Sequence, residues 1–170
     1  MDSLISQKAD PGSDPADPAD DILFFDNVDE VRARGLEFGL ERSFSDGVKG
    51  RVSYSIQRAR DGKTDQIISN SPQHLAKLNL IAPLHKDKLF AGLELQYVSS
   101  VRTVRPGRAD DFWIANATLF SHELFKGVDL SASVYNLFDE RFGHPGSAEH
   151  TQDVIEQNGR SFRVKLTYRF

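Results

Sequence analysis

The chain has 170 residues, a formal net charge of −4 and no cysteine, which excludes a disulfide framework, a thiolate metal site and a cysteine nucleophile. An acidic balance gives no indication of a nucleic-acid partner. The sequence lacks a run of about 20 apolar residues, so it predicts no transmembrane helix. A transmembrane β-barrel remains compatible with this composition, because only every second residue of a barrel strand faces lipid.

Apolar and polar residues alternate along most of the chain, and this period of two is typical of strands with one apolar face. The pattern predicts about eight strands and no helix. The second strand is long and is expected to bend near residues 27–31. In chain order, the predicted strands are 2–8, 22–44, 49–60, 74–84, 89–103, 112–124, 128–140 and 160–170.

The last predicted strand shows the alternation most clearly. Its apolar face carries Phe162, Val164, Leu166, Tyr168 and Phe170, and its other face carries Arg163, Lys165, Thr167 and Arg169. The same pattern predicts that Val52, Leu78, Leu95, Ala117 and Val134 belong to the apolar faces of five earlier strands.

The connections between these strands alternate in length. Residues 45–48, 85–88 and 125–127 form short segments with turn-forming residues. The long connections are 9–21, 61–73, 104–111 and 141–159. Short turns at one end and long loops at the other are typical of an outer-membrane barrel, where they are periplasmic and extracellular respectively.

Alternation alone does not decide which face meets lipid, since a soluble barrel of the lipocalin type places its apolar side chains inside. Aromatic residues near the predicted strand ends, among them Tyr54, Tyr97 and Trp113, favour an apolar face turned outward to lipid, because membrane barrels carry aromatic girdles at such positions. We therefore expect an all-β, antiparallel, up-and-down transmembrane barrel segment.

Several motifs in their order along the chain resemble the C-terminal β-barrel region of TonB-dependent outer-membrane receptors. These motifs are Val31–Glu37, Asn70–Leu75, Tyr97–Ser100, Val134–Glu140 and the terminal Leu166–Phe170. The resemblance covers essentially the full length of the chain. It implies a barrel of about 22 strands with a globular plug in its lumen.

The resemblance also implies a location in the outer membrane of a Gram-negative bacterium and uptake of a scarce nutrient such as a siderophore–iron complex. The implied partners are outer-membrane lipid, the barrel-assembly machinery and, for an intact receptor, the TonB energy-coupling complex. Val164, Leu166, Tyr168 and Phe170 resemble the terminal signal that the assembly machinery reads. The transported ligand does not follow from the sequence.

The chain departs from a whole receptor in three ways: it has about eight strands, no recognisable plug domain and no signal peptide at its first residues. We therefore expect residues 1–170 to be a partial receptor barrel, a truncated product that transports nothing alone. Closure of the eight strands into a small barrel, a porin-like channel segment and a soluble β-barrel binding protein are the alternatives.

The longest loop contains the candidate ligand-facing residues His144, Glu149 and His150, because loops of this kind face the medium. With Asp153 they also allow a divalent-metal hypothesis, and the acidic stretch 10–21 allows a calcium hypothesis. A solvated polar loop is the simpler interpretation of both, so no metal or other cofactor is expected. No nucleophile elbow or comparable catalytic context occurs, and the chain is not expected to be an enzyme.

Overall fold

The computed structural model describes the backbone of residues 4–9, 23–85, 88–123, 125–147 and 149–170, and side chains from residue 30 onward within these ranges. The predicted acidic loop 10–21 lies outside the described residues. No helix in the described part of the chain is long and apolar enough to cross a membrane. The strands are β1 (Leu4–Ala9), β2 (Leu23–Asp29), β3 (Val31–Ser43), β4 (Lys49–Asp61), β5 (His74–His85), β6 (Leu89–Val98), β7 (Val101–Arg102), β8 (Arg108–Ala109), β9 (Phe112–Ser121), β10 (Val128–Tyr135), β11 (Gly143–Pro145), β12 (Val154–Glu156) and β13 (Ser161–Tyr168).

The chain divides into two compact units. Residues 1–34 and 58–68 form the smaller unit, in which β1 and β2 pair as an antiparallel two-stranded sheet. Its described residues also include a turn after β4, where an isolated bridge joins Arg60 to Ile67. Residues 35–57 and 69–170 form the larger unit.

Seven strands form the main sheet in the order β13-β10-β9-β6-β5-β4-β3. Strands that follow one another along the chain are neighbours in this sheet, once the short hairpins β7–β8 and β11–β12 are set aside. This is an up-and-down meander, as the sequence predicted. Among the described residues no pairing joins the two outer strands, so the sheet is not closed into a ring.

The register places the apolar residues of neighbouring strands opposite one another. One row crosses six strands and contains Gly50, Leu80, Leu93, Ala117, Val134 and Phe162. Because side chains alternate between faces, the residues on either side of this row belong to the other face. The predicted apolar faces of these strands are therefore one continuous face of the sheet.

This apolar face is open to the surroundings. Leu36 is 77% exposed, Phe162 74% and Leu166 68%, values far from those of a protein core. The opposite face carries hydrogen-bonded polar residues. Asn116 Nδ2 donates to Glu94 Oε2 at 3.2 Å, and Thr118 Oγ1 donates to Ser133 Oγ at 2.9 Å.

Two of the predicted short turns, 45–48 and 125–127, connect neighbouring strands of the main sheet, whereas residues 86 and 87 of the third lie outside the described residues. In the β3–β4 turn, Phe44 N donates to the carbonyl of Val48 at 2.8 Å, and Gly47 adopts a φ of 86°. In the β9–β10 turn, Val128 N donates to the carbonyl of Phe125 at 2.9 Å. Gly127 has a φ of 73° there, a left-handed conformation that glycine adopts without a steric penalty.

Several details of the sequence-based prediction differ from the structure. The predicted strand 22–44 is divided at Glu30 into β2 and β3, at the expected bend, and β2 pairs with β1 rather than within the main sheet. The strands predicted to reach 103 and 140 end at Val98 and Tyr135. The long loops that follow these strands each contain a short hairpin, β7–β8 and β11–β12.

Candidate binding site at the long-loop end

Asn136 follows the last residue of β10, is only 4% exposed and has a φ of 51°. Its side chain closes a turn: Oδ1 accepts from Glu140 N and Nδ2 donates to the Glu140 carbonyl, both at 2.8 Å. Its backbone N–H donates to Asn116 Oδ1 at 2.9 Å. The motif at residues 135–140 therefore terminates the strand.

The two hairpins of the long loops are joined through Arg105. Its guanidinium donates to the carbonyls of His150 and Thr151, both at 2.8 Å, and its Nη1 lies 3.7 Å from Asp153 Oδ1. Such charge-assisted contacts to two successive carbonyls fix the position of one loop on the other.

An aromatic cluster lies where these hairpins meet the sheet. Phe112, the first residue of β9, is only 5% exposed, and its ring lies 4.5 Å from that of Phe142. The imidazole of His144 packs edge-on against both rings, at 5.6 and 5.7 Å between centroids. These are favourable separations for aromatic pairs.

A cavity of about 240 Å³ opens beside this cluster and is called the hairpin cavity below. Leu75, Gln96 and Val98 form the floor of the cavity and belong to the face of the sheet opposite the exposed apolar face. His144 of β11 forms one side. The complete lining is Asn70, Pro72, Leu75, Gln96, Val98, Ser99, Val101, Asp110, Phe112, Gly143, His144 and Pro145. The walls are therefore mainly apolar with a few polar groups, which is the usual composition of a small-molecule site.

A second cavity, of about 530 Å³, adjoins the first and shares Asp110 and Gly143 with it. We call it the acidic cavity, because its lining includes Asp110, Asp111, Asp139, Glu140 and Glu156 but Arg141 as its one basic residue. Asp139 is already engaged, since its Oδ1 accepts from Arg160 N at 2.7 Å.

The structure separates the three candidate residues of the long loop. His144 lies in the wall of the hairpin cavity. Glu149 and His150 belong to an exposed turn, in which His150 Nδ1 lies 2.7 Å from Ser147 Oγ. In the described part of the chain, no three His, Asp or Glu residues are grouped to hold a metal ion.

Sequence reasoning missed Phe112, Leu75 and Val98 as parts of this site. The available signal was that these apolar residues fall on the face of β9, β5 and β6 that also carries Asn116, Lys77 and Gln96. Apolar residues at the long-loop end of this face are therefore candidates for a binding site.

The terminal residues Val164, Leu166, Tyr168 and Phe170 are all exposed. The first three lie on the apolar face of β13, an outer strand of the main sheet, and Phe170 follows with its ring 6.2 Å from that of Tyr168.

The family profile described as "TonB dependent receptor-like, beta-barrel" matches residues 2–137. The fold is also similar to the siderophore receptor PiuA from Acinetobacter baumannii, with a TM-score of 0.68 and 20% identity over 85% of this chain and 22% of that chain. The ferric-catecholate import receptor Fiu from E. coli K12 gives a TM-score of 0.71 and 17% identity over 99% of this chain and 24% of that chain. The ferripyoverdine receptor of the outer membrane of Pseudomonas aeruginosa gives a TM-score of 0.68 and 16% identity. This match covers 96% of this chain and 23% of that chain.

The chain therefore spans 22 to 24% of the length of these three structures. No curated protein sequence matches it.

Proposed function

The chain belongs to the TonB-dependent receptor β-barrel family, and from this premise we propose that it forms the C-terminal part of the barrel wall of an outer-membrane receptor in a Gram-negative bacterium. The receptor would take up a scarce nutrient such as a siderophore–iron complex. Support for this ligand class comes from the structural relatives, which are receptors for siderophores, ferric catecholate and ferripyoverdine.

The observation that carries the proposal is the exposed apolar face of the main sheet. Large side chains such as Leu36, Trp113 and Phe162 are exposed on this face. The other face carries hydrogen-bonded polar pairs, Asn116–Glu94 and Thr118–Ser133. An exposed apolar surface of this extent is unfavourable in water and favourable against hydrocarbon. A soluble barrel would instead turn these side chains into its own core.

The open edges of the sheet support the view that this chain alone forms no pore. Strands β3 and β13 are the outer strands of the main sheet. In lipid, unpaired backbone N–H and C=O groups are costly, so an open edge has to be closed by further strands. We propose that residues 1–170 act as one part of a larger ring, in which the plug and the TonB-coupling segment belong to other parts of the receptor.

Two groups of residues receive roles in this proposal. Val164, Leu166, Tyr168 and Phe170 form the apolar terminal signal for the barrel-assembly machinery. His144 faces the ligand at the extracellular end, and Glu149 and His150 face the medium in the same loop. The outer-membrane lipid contacts the apolar face, and the chain catalyses no reaction.

The proposal is tested by the solubility and the refolding of the full 170-residue chain. We expect insoluble protein that regains β-structure, measured by circular dichroism, only in detergent micelles or lipid vesicles. A compact monomer in aqueous buffer without detergent would contradict the membrane assignment. The view that the chain transports nothing by itself would be contradicted if this reading frame alone restored the growth of a receptor-null strain.

A further inference from the structure

We propose that the hairpin cavity binds a single uncharged or cationic ring of the ligand and discriminates against rings that carry a carboxylate. The inference rests on the proposed function, because it names the kind of chemical group that the receptor takes from the medium.

The size of the cavity limits the ligand group to one ring with a small substituent. An apolar cavity of about 150 Å³ accommodates benzene, and cavities for whole drug-sized ligands begin at about 300 Å³. At about 240 Å³, the hairpin cavity lies between the two. It therefore holds one part of a larger ligand and leaves the remainder in the lumen.

The walls of the cavity suit a planar ring. Leu75 and Val98 form an apolar floor, and the edge of the Phe112–His144 cluster forms one side. Aromatic rings favour edge-to-face contacts at such separations. Since His144 is exposed and its imidazole packs edge-on against Phe112, the remaining surface of the ring is available to a ligand.

Polar groups in the lining are free to bind the substituents of the ring. Within the described part of the chain, the side chains of Asn70, Gln96 and Asp110 have no hydrogen-bond or ion-pair partner. Two amides supply both donors and acceptors, and the carboxylate of Asp110 accepts only. Together they favour a ring that carries hydroxyl or ammonium groups.

The charge around the cavity acts against anions. Asp110 belongs to both cavities, and the adjoining acidic cavity adds Glu140 and Glu156, against Arg141 as its one basic residue. A concave surface lined by one sign of charge repels ligands of that sign. A carboxylate on the bound ring would also lie close to Asp110 and would be destabilised by it.

The test uses the full chain refolded in detergent micelles, with benzylammonium, benzyl alcohol and benzoate as three probes that share one ring. Binding is measured by saturation-transfer NMR titration, with empty micelles as the blank and circular dichroism as the check of folding. We expect benzylammonium and benzyl alcohol to bind, and benzoate to bind at least about tenfold more weakly.

Three variants locate the site. His144→Ala is expected to weaken the binding of benzyl alcohol several-fold, whereas His150→Ala in the same loop leaves it unchanged. Asp110→Asn is expected to reduce the preference for benzylammonium over benzoate without loss of benzyl alcohol binding.

Equal affinity for benzoate and benzylammonium would overturn the proposal, and so would equal effects of the two histidine variants. Absence of binding above the micelle blank by a chain whose folding is verified would also overturn it. These outcomes leave the membrane assignment untouched, because that assignment is decided by the behaviour of the chain without detergent.

Discussion

Arg169 and Asp129 form an ion pair in which Nη2 of the arginine lies 2.6 Å from Oδ2 of the aspartate. Asp129 Oδ1 also accepts from the backbone N–H of Glu123 at 2.8 Å. One carboxylate thus connects the residue after β13 to the turn before β10. We expect Asp129→Asn to loosen both connections and lower the thermal unfolding midpoint of the refolded chain.

The midpoint is measured by circular dichroism in micelles at low and high salt. Glu123→Gln is the matched control, since it removes a charge from the same turn but leaves the backbone donor in place. The difference between the two variants should shrink as salt screens the ion pair. Equal midpoints of the two variants at low salt would show that the pair contributes nothing measurable.

Gly127→Ala tests the turn that brings Arg169 to this position. Gly127 has a φ of 73°, and a Cβ there would collide with the carbonyl oxygen of Arg169. A non-glycine residue in the left-handed region costs about 1–2 kcal/mol, and the collision adds to this. We expect a loss of at least that size in the free energy of unfolding, measured by urea titration in micelles.

Gly39→Ala provides the comparison for this prediction. No atom lies within 4 Å of a Cβ built on Gly39, so the same chemical change meets open space in strand β3. We expect little change or a slight gain in stability, because alanine restricts the unfolded chain more than glycine does. A Gly39→Ala variant as unstable as Gly127→Ala would mean that local crowding is not the cause.

The strands of the main sheet were predictable because their period of two is a local property of the sequence. The alternation around Leu95 and Leu166 fixes which residues share a face, and the turn residues fix where the strands reverse. The short hairpins were not predictable in this way. A strand of two residues, such as Val101–Arg102, is too short to show any period.

The candidate site was harder to predict because it depends on contacts between distant parts of the chain. The hydrogen bonds from Arg105 reach carbonyls 45 and 46 residues away. Spacing along the loop grouped His144 with His150. In the structure, His144 belongs to β11 and lies in the cavity wall, whereas His150 lies in the exposed turn after β11. Proximity in sequence therefore grouped three candidate residues, of which one, His144, lies in the wall of the hairpin cavity.

Asn136→Ala is predicted to destabilise the end of β10. The substitution removes the two side-chain hydrogen bonds to Glu140 and leaves a buried backbone turn without partners, which costs about 1–3 kcal/mol. Alanine at a φ of 51° adds a backbone penalty. The free energy of unfolding is measured by urea titration in micelles.

Asn158→Ala, at an exposed position of the same long loop, is the control and should change the free energy of unfolding by less than about 0.5 kcal/mol. Asn136→Gly relieves the backbone penalty and isolates the hydrogen bonds. If Asn136→Ala and Asn158→Ala are equally stable, the turn at Asn136 does not hold the strand end.

The turn after β4 is predicted to loosen at acidic pH. Asp61 Oδ1 accepts from the backbone N–H groups of Lys63 and Thr64 and from the Thr64 hydroxyl, at 2.9, 2.6 and 2.9 Å. The hydrogen bonds from Thr64, followed by that from Lys63, lower the pKa of Asp61 below its ordinary value. Because the folded-state pKa is depressed, the stabilisation is present above the unfolded pKa of about 3.9 and is lost as the pH falls through the folded value.

Hydrogen exchange of the Thr64 amide, followed from pH 6 downward and corrected for intrinsic rates, measures this effect. Protection is expected to hold to below about pH 4 and then fall, and Asp61→Asn should remove the pH dependence. Glu149→Gln, in another exposed loop, should leave the profile as it is. A profile that Asp61→Asn does not alter would assign the turn's stability to other contacts.

Phe170→Asp tests the proposed assembly signal in the proposed receptor, of which this chain would form the C-terminal segment. Phe170 is fully exposed and continues the apolar face through Tyr168 and Leu166. A carboxylate there replaces an apolar group with a charge that lipid and an apolar recognition surface both disfavour. We expect a sharp fall in the amount of receptor in the outer membrane, measured by immunoblotting of isolated membranes.

Phe138→Asp is the matched control, because Phe138 is also exposed but lies in the turn after β10, outside the terminal strand. A normal membrane level of the Phe170→Asp receptor, or an equal loss with Phe138→Asp, would reject a specific role for the terminal aromatic residue.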